Sequence, residues 1–123
     1  AAIHEVDSPP EKLRRMLKVL MEACLRLFFQ DRKLYEIAAS AASGRWPATL
    51  LYEGFIEQTL REILQQGRQS GGFERKTPLD ETTRAIHLIM RPYFNPLLLQ
   101  YGLETTDEAP ALLSSLVLRS LSP

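Results

Sequence analysis

A long apolar stripe in the middle of the chain restricts the possible folds more than any other sequence feature. Over residues 48–67, apolar residues recur at steps of three and four, and the opposite positions are polar. This spacing is typical of an amphipathic α-helix that buries one face. Pro47 suits the first helical position, and Ser70-Gly71-Gly72 marks the end of the helix. On the polar face, Glu57 and Arg61 are spaced for an ion pair across one turn.

The N-terminal third of the chain predicts two more helices. Ser8-Pro9-Pro10-Glu11 is typical of a capping box, in which the serine caps the helix and the glutamate reaches back to it. The helix that it opens has an apolar stripe over residues 13–28. After a break at residues 30–32, a shorter helix covers roughly residues 32–43, and Gly44 suits the left-handed position after its end.

The C-terminal third predicts the remaining helices. A helix opens at Thr77-Pro78-Leu79-Asp80, and two prolines predict a kink or break near residues 92–96. A short helical piece covers residues 96–101, and Thr106 caps a last helix at about residues 107–121. No useful segment alternates with the period of a strand. The sequence therefore predicts an all-α bundle of about five or six helices.

Length and composition favour one globular domain. The chain has 123 residues, of which 45% are hydrophobic and 24% are charged, as is ordinary for a folded domain. With 15 basic and 15 acidic residues, it lacks the basic excess of a protein that grips DNA alone. No apolar stretch approaches the roughly 20 residues that span a bilayer, and the first residues do not form a signal peptide. Because the single cysteine also suits a reducing compartment, we expect a cytoplasmic protein without a membrane partner.

The residue types that carry catalysis or bind metals are not grouped in this sequence. His4 and His87 are far apart, and neither has a partner at ligand spacing. Cys24 lies in the middle of an apolar stripe, which favours a buried thiol over a nucleophile. Ser70-Gly71-Gly72 follows a helix, so it ends that helix and does not cradle a phosphate. We therefore expect no enzyme, no cofactor and no bound metal.

A set of methionine, aromatic and neighbouring side chains from three helices is expected to converge. The simpler interpretation is that these side chains fill the core. The alternative is that they line a cavity, because methionines and aromatics make adaptable walls and the tips of tryptophan and tyrosine can orient a ligand. The set includes a histidine that suits either packing or ligand contact. The candidate ligand-binding residues are Met21, Cys24, Phe28, Trp46, Tyr52, Phe55, Ile86, His87 and Met90.

The last two helical segments carry apolar residues over a wide arc. A terminal helix that is apolar on two sides either inserts into the centre of its own domain or packs against another chain. Because the core of so small a chain is thin, we expect a two-fold homodimer formed by these segments. The candidate interface residues are Ile89, Tyr93, Leu97, Leu112, Leu113, Leu116, Val117 and Arg119.

The central stripe also carries a family resemblance. Its helix ends in Ile63-Leu64-Gln65-Gln66-Gly67 and is followed by Gly71-Gly72-Phe73-Glu74. This pattern resembles the C-terminal domain of tetracycline-repressor-like (TetR-family) regulators, in which a long central helix ends in Ile-Leu-x-x-Gly before a Gly-x-Phe turn. Residues 10–13 and 28–34 are similar to the family's entry into this domain.

The resemblance implies a role for the chain. In the family, a helix-turn-helix DNA reader precedes this domain, so residues 1–7 correspond to the tail of a connecting helix and the DNA-binding part is absent. Two helices, here residues 78–101 and 107–121, pair with their copies in a homodimer. A small apolar or amphipathic effector enters between the first, central and fourth helices and changes the spacing of the two DNA readers.

Three hypotheses about function follow. The first is that residues 1–123 form a single ligand-sensing and dimerisation domain of a bacterial TetR-like transcriptional regulator, which contacts DNA only through the absent domain. The second is a helical protein-interaction module with a filled core and no small-molecule ligand. The third is a small helical enzyme, for which the sequence offers no candidate catalytic residues.

Overall fold

The structure is a computed structural model that describes residues 8–105 and 107–123. Within these residues it contains helices and no strand, which confirms the predicted all-α class. None of the described helices is both long enough and apolar enough to cross a membrane. The predicted connecting-helix tail and the predicted cap Thr106 lie outside the described residues. The helices are α1 (Pro9–Gln30), α2 (Arg32–Ser43), α3 (Pro47–Gln69), α4 (Leu79–Phe94), α5 (Pro96–Leu99) and α6 (Ala109–Ser120), with a 3-10 turn at Leu103–Thr105.

Short polar side chains begin α1 and α2. The Ser8 hydroxyl accepts a hydrogen bond from the backbone nitrogen of Glu11 at 3.4 Å, which is half of the predicted capping box. The other half is absent, because the Glu11 carboxylate pairs with Arg14 instead of reaching back. The Asp31 carboxylate accepts from the backbone nitrogen of Leu34 at 3.2 Å, so the residue that ends α1 also begins α2.

The turn between α2 and α3 differs from its prediction. The φ of Gly44 is −80°, so the left-handed conformation predicted for it is wrong; Arg45, with a φ of 53°, is the left-handed residue. Gly44 is needed for a different reason, since a Cβ there would lie 2.7 Å from Nε1 of Trp46. The constraint on this glycine is therefore the close approach of the indole and not its own backbone conformation.

A second close approach ends α3. The backbone nitrogen of Phe73 donates to the carbonyl of Gly67 at 3.0 Å, and a Cβ on Gly67 would lie 2.0 Å from Cδ2 of Phe73. Gly71 reverses the chain with a φ of 83°. The backbone nitrogen of Glu74 then donates to the carbonyl of Leu121 at 2.7 Å, which joins this turn to the end of α6. The predicted end of the helix at residues 70–72 is confirmed.

The predicted break near the two prolines occurs after Phe94. Helix α4 continues through Pro92, and the chain becomes extended at Asn95, as expected for a residue that precedes a proline. The Asn95 side-chain oxygen accepts from the backbone nitrogens of Leu97 and Leu98 at 3.0 and 3.3 Å. Asn95 therefore caps α5, which covers fewer residues than the predicted 96–101.

Two apolar clusters hold the helices together. Helices α1, α3, α4 and α6 enclose the larger cluster, in which Leu60 and Met90 are almost completely buried. The smaller cluster is built on Cys24, Tyr35 and Leu99 and connects α1, α2 and α5. The Tyr35 hydroxyl also donates to the carbonyl of Pro96. These contacts place the α4–α5 junction next to α2, where a space remains between the helices.

Candidate effector site

Three concave regions contain five of the nine candidate ligand-binding residues. Cys24 and Tyr52 line an apolar pocket, Met21 and Met90 line a groove between α1 and α6, and His87 lines a polar cleft. The residues that the sequence grouped into one cavity therefore belong to different regions of the surface.

The other four candidate residues do not line these regions. Ile86 is buried in the larger cluster, and the ring of Phe28 packs in the smaller one. Trp46 is 49% exposed and Phe55 is 72% exposed. Phe55 comes directly before the buried Ile56, so it lies about 100° away around α3 and faces away from α1 and α4.

The apolar pocket is a cavity of about 340 Å³ between α1, α2, α3 and the α4–α5 junction. Much of its wall consists of alanines, which leave volume that larger apolar side chains would fill. None of the described residues that line it has a charged side chain. The lining residues are Ala23, Cys24, Leu27, Ala38, Ala41, Ala48, Thr49, Tyr52, Phe94, Asn95 and Pro96.

The two titratable groups in the wall of the apolar pocket are neutral at physiological pH. Burial raises the pKa of the Cys24 thiol to about 11 and the pKa of Tyr52 to about 12. The Tyr52 hydroxyl donates to the carbonyl of Phe94 at 3.1 Å, which connects α3 with the end of α4. A neutral and mostly apolar wall suits an uncharged, apolar ligand segment.

The polar cleft is a concave region of about 220 Å³ between the end of α2, the first half of α3, and α4. Its charged groups are two carboxylates and three guanidiniums, and they surround one imidazole. The lining residues are Ala42, Arg45, Thr49, Leu50, Glu53, Gly54, Glu57, Arg84, His87 and Arg91.

Glu53 is the carboxylate with the most contacts in the cleft, and its side chain is 16% exposed. It accepts hydrogen bonds from Nε and Nη2 of Arg91 at 2.7 and 3.2 Å, and from Nδ2 of Asn95 at 3.4 Å. Nε2 of His87 lies 3.3 Å from its Oε1, although the geometry excludes a hydrogen bond. Glu53 therefore joins Arg91 of α4 to Asn95, which lines the apolar pocket.

Glu57 forms the second half of this network. Because a carboxylate only accepts, Nδ1 of His87 donates to Oε1 of Glu57, at 3.0 Å, and Nη1 of Arg84 donates to the same oxygen at 3.2 Å. The hydrogen bond from His87, followed by the one from Arg84, lowers the pKa of Glu57. The predicted Glu57–Arg61 pair is wrong, since Arg61 bonds Asp80 at 2.8 Å. Helix α4 packs along this face of α3 and supplies closer partners for both residues.

His87 is the centre of the network and is 4% exposed. Its ring stacks on Phe94 with centroids 5.4 Å apart and planes 11° from parallel. The sequence left packing and ligand contact open for His87, and it did not single out Glu53, which belongs to the polar face of α3. The spacing of the two glutamates, one turn apart, matches the spacing of His87 and Arg91 on α4, and this signal could have indicated the pairing. Within the described residues, no group of His, Cys, Asp and Glu could hold a metal ion.

The α1–α6 groove is the third concave region, with a volume of about 330 Å³. Met21 and Met90 form part of its apolar floor, and charged side chains from α1 lie along its edge. The lining residues are Arg14, Leu17, Lys18, Met21, Glu22, Met90, Asp107, Pro110, Ala111, Ser114 and Ser115.

The candidate interface residues divide into exposed and buried groups. On α6, Leu112 and Leu116 are one turn apart and are 62% and 59% exposed, and Arg119 is exposed beside them. On α4, Ile89 is 41% exposed. Val117 is 3% exposed inside the larger cluster, so it is not available to a second chain. The partly buried members of the set are Tyr93, Leu97 and Leu113.

The comparison with protein families agrees with this architecture. Residues 9–112 match the model of the family described as "Tetracyclin repressor-like, C-terminal domain". Because the match covers far more than half of the chain, the chain belongs to this family. Domains of this family are regulatory parts of transcription regulators and not enzymes. No curated protein and no solved structure matches the chain.

Proposed function

We propose that this domain senses a small, largely apolar effector in the apolar pocket and couples effector binding to a homodimer formed by α4 and α6. In a bacterial regulator, this coupling would alter operator binding by a separate DNA-reading domain, and we expect the regulator to work in the cytoplasm, where the operator is. The observation that carries the proposal is the cavity of about 340 Å³ between α1, α2, α3 and the α4–α5 junction.

The chemistry of the apolar pocket defines the effector class. Pockets that take small molecules typically begin at about 300 Å³, so a cavity of about 340 Å³ suits a compact ligand. Among the described residues, those of the wall offer apolar carbon, the Thr49 hydroxyl and the Asn95 side chain, and none of them is charged. Apolar surface that leaves water contributes about 25 cal/mol per Å², which favours a hydrocarbon or aromatic ligand segment.

Two hydrogen-bonded connections link the apolar pocket to α4. In the first, the Tyr52 hydroxyl donates to the carbonyl of Phe94. In the second, Asn95 donates to Glu53, which also accepts from Arg91. A ligand that moves Tyr52 or Asn95 therefore acts on the end of α4. Because α4 also belongs to the proposed dimer surface, such a ligand changes the relative free energies of two subunit arrangements.

The exposed leucines of α6 support the proposed dimer. Leu112 and Leu116 form an apolar row on the outer side of this helix, and Ile89 of α4 is exposed as well. Contiguous apolar surface of this kind is commonly covered by a partner. A two-fold dimer would pair the row with its own copy.

Effector binding can be tested by isothermal titration calorimetry with a panel of compact apolar compounds that includes octan-1-ol. The variant Ala38→Leu reduces the volume of the apolar pocket, and the control Ala111→Leu makes the same change in the α1–α6 groove. We expect Ala38→Leu to weaken binding at least ten-fold and Ala111→Leu to leave it unchanged. If Ala111→Leu weakens binding and Ala38→Leu does not, the effector site is the α1–α6 groove. If no compound binds, effector sensing is contradicted.

Dimerisation can be tested by sedimentation velocity at tens of micromolar. The wild type is expected to be a dimer, and the double variant Leu112→Glu, Leu116→Glu is expected to be a monomer. Leu34→Glu is the matched control, because Leu34 is 48% exposed on α2, away from the proposed interface. A monomeric wild type would contradict the proposed dimer.

One observation favours the protein-interaction module as a second candidate. Leu51 and Phe55 lie one turn apart on the outer face of α3 and are 75% and 72% exposed. If this face forms the self-contact, Phe55→Ser and not the α6 double variant will produce monomers in the same sedimentation experiment.

A further inference from the structure

We propose that the polar cleft is a head-group subsite that selects an oxyanion, such as a carboxylate or phosphate group, on an effector whose apolar body lies in the apolar pocket. The proposal rests on the effector binding proposed above and specifies its ligand class as an anionic amphiphile. Four features of the cleft support it: its position, its charge, an unsatisfied buried nitrogen and an open glycine.

The polar cleft and the apolar pocket are neighbours. Thr49 lines both regions, and the consecutive residues Ala41 and Ala42 line the pocket and the cleft respectively. Asn95 lines the pocket and donates to Glu53, which lines the cleft. A ligand that lies across Thr49 would therefore contact both a neutral apolar region and a charged one.

The charges in the cleft leave one cation without a partner. Arg91 is bound to Glu53, and Arg84 is bound to Glu57. The guanidinium of Arg45 makes no hydrogen bond or ion pair with any of the residues that the structure describes, although it lines the cleft. Since both carboxylates are already neutralised by the cations of α4, the remaining positive charge favours an anionic ligand group.

The buried nitrogen is Nε2 of His87. Among the buried side-chain nitrogen and oxygen atoms of the described residues, it is the one that lacks a hydrogen-bond partner. Such a group is costly unless water or a ligand satisfies it. Nδ1 already donates to Glu57, so Nε2 is the ring nitrogen that a ligand group in the cleft would have to satisfy.

Gly54 lines the cleft at an exposed position of α3. It lies inside α3, where glycine is less favourable than alanine, and a Cβ at this position would meet no atom within 4 Å. No packing contact therefore requires a glycine here, in contrast with Gly67, where Phe73 occupies the space. An unfilled position in the wall of the cleft is expected if a ligand group uses that space.

The test compares three probes of equal chain length, octanoate, octan-1-ol and octylamine, by isothermal titration calorimetry. We expect octanoate to bind at least ten-fold more tightly than either of the others. Arg45→Gln should remove this preference without changing the affinity for octan-1-ol, and Arg26→Gln, an exposed arginine on α1, is the matched control. Gly54→Leu should weaken octanoate binding and yet raise Tm by about 3 °C, because leucine is the better helix former.

The outcomes separate the subsite from the proposed function. Equal affinities for octanoate and octan-1-ol, unchanged by Arg45→Gln, would overturn the subsite and leave the apolar effector site intact. Failure of every probe and of the apolar panel would contradict effector sensing itself. Inorganic phosphate distinguishes a site for free anions from a subsite for a ligand head group. If phosphate binds as tightly as octanoate, and Ala38→Leu changes the affinity for neither probe, the cleft is an independent anion site. The proposal of one amphiphilic ligand would then be wrong.

Discussion

Glu53 connects the two helices that flank the polar cleft, so replacing it with glutamine tests how firmly the network holds α4 against α3. The substitution keeps the size of the side chain and removes its charge. Hydrogen bonds to charged groups contribute about 1.5–3 kcal/mol each, but glutamine retains one accepting oxygen and the Arg91 side chain is 36% exposed, so water recovers part of the loss. We therefore expect Glu53→Gln to lower the free energy of unfolding by about 1.5–2 kcal/mol.

The corresponding change in Tm follows from the size of the chain. An entropy of unfolding of about 0.26 kcal/mol/K for 123 residues converts this loss into a decrease of roughly 6–8 °C. Thermal and urea denaturation followed by circular dichroism, at one fixed protein concentration, would measure it. Glu62→Gln is the control, because Glu62 is exposed on the same helix and should change stability by less than about 0.5 kcal/mol. If the two variants are equally stable, the network does not hold α4 in place.

Two further predictions concern the turn after α3 and the second glutamate of the cleft. Gly67→Ala should lower the free energy of unfolding, measured in urea, by about 2–3 kcal/mol, because its Cβ would lie 2.0 Å from the buried ring of Phe73. Gly72→Ala is the control and should change stability little, because its Cβ would have ordinary contacts. Equal effects of the two substitutions would refute the steric explanation. The hydrogen bond from His87 holds the folded-state pKa of Glu57 below its ordinary value of 4.5, so the carboxylate stabilises the fold above pH 4.5 and this stability is lost as the pH falls through the folded-state pKa. The stability of Glu57→Gln should therefore fall less steeply than that of the wild type below pH 4.5, and parallel pH profiles would contradict this assignment.

The helices could be predicted because their ends are encoded locally. Asp31 as a cap and the glycines at residues 71–72 act within a few residues of their own position, so the predicted helix at residues 32–43 and the predicted stop near residue 70 agree with the structure. Gly44 shows the limit of this approach. A glycine is required at this position because a Cβ would clash with Trp46, and the local sequence pattern of a turn does not reveal such a contact.

The site was less predictable because it depends on how the helices cross. Glu53 and Glu57 lie on the polar face of α3, and a polar helix face is normally expected to be exposed to solvent. They form a hydrogen-bonded network only because α4 packs against this face. Phe55 belongs to the apolar pattern of the same helix, yet it is 72% exposed. Periodicity identifies which residues share a face of one helix, but it does not determine which helix covers that face or where a space remains.

The most direct test of the proposed effector site is to locate a bound apolar ligand by nuclear magnetic resonance. Protein labelled at the alanine and methionine methyl groups, saturated with octan-1-ol, would give intermolecular nuclear Overhauser effects to the methyl groups near the ligand. We predict effects to Ala38 and Ala41, which line the apolar pocket, and none to Met21 or Met90, which line the α1–α6 groove. Effects to the two methionines without effects to the two alanines would contradict the proposed effector site.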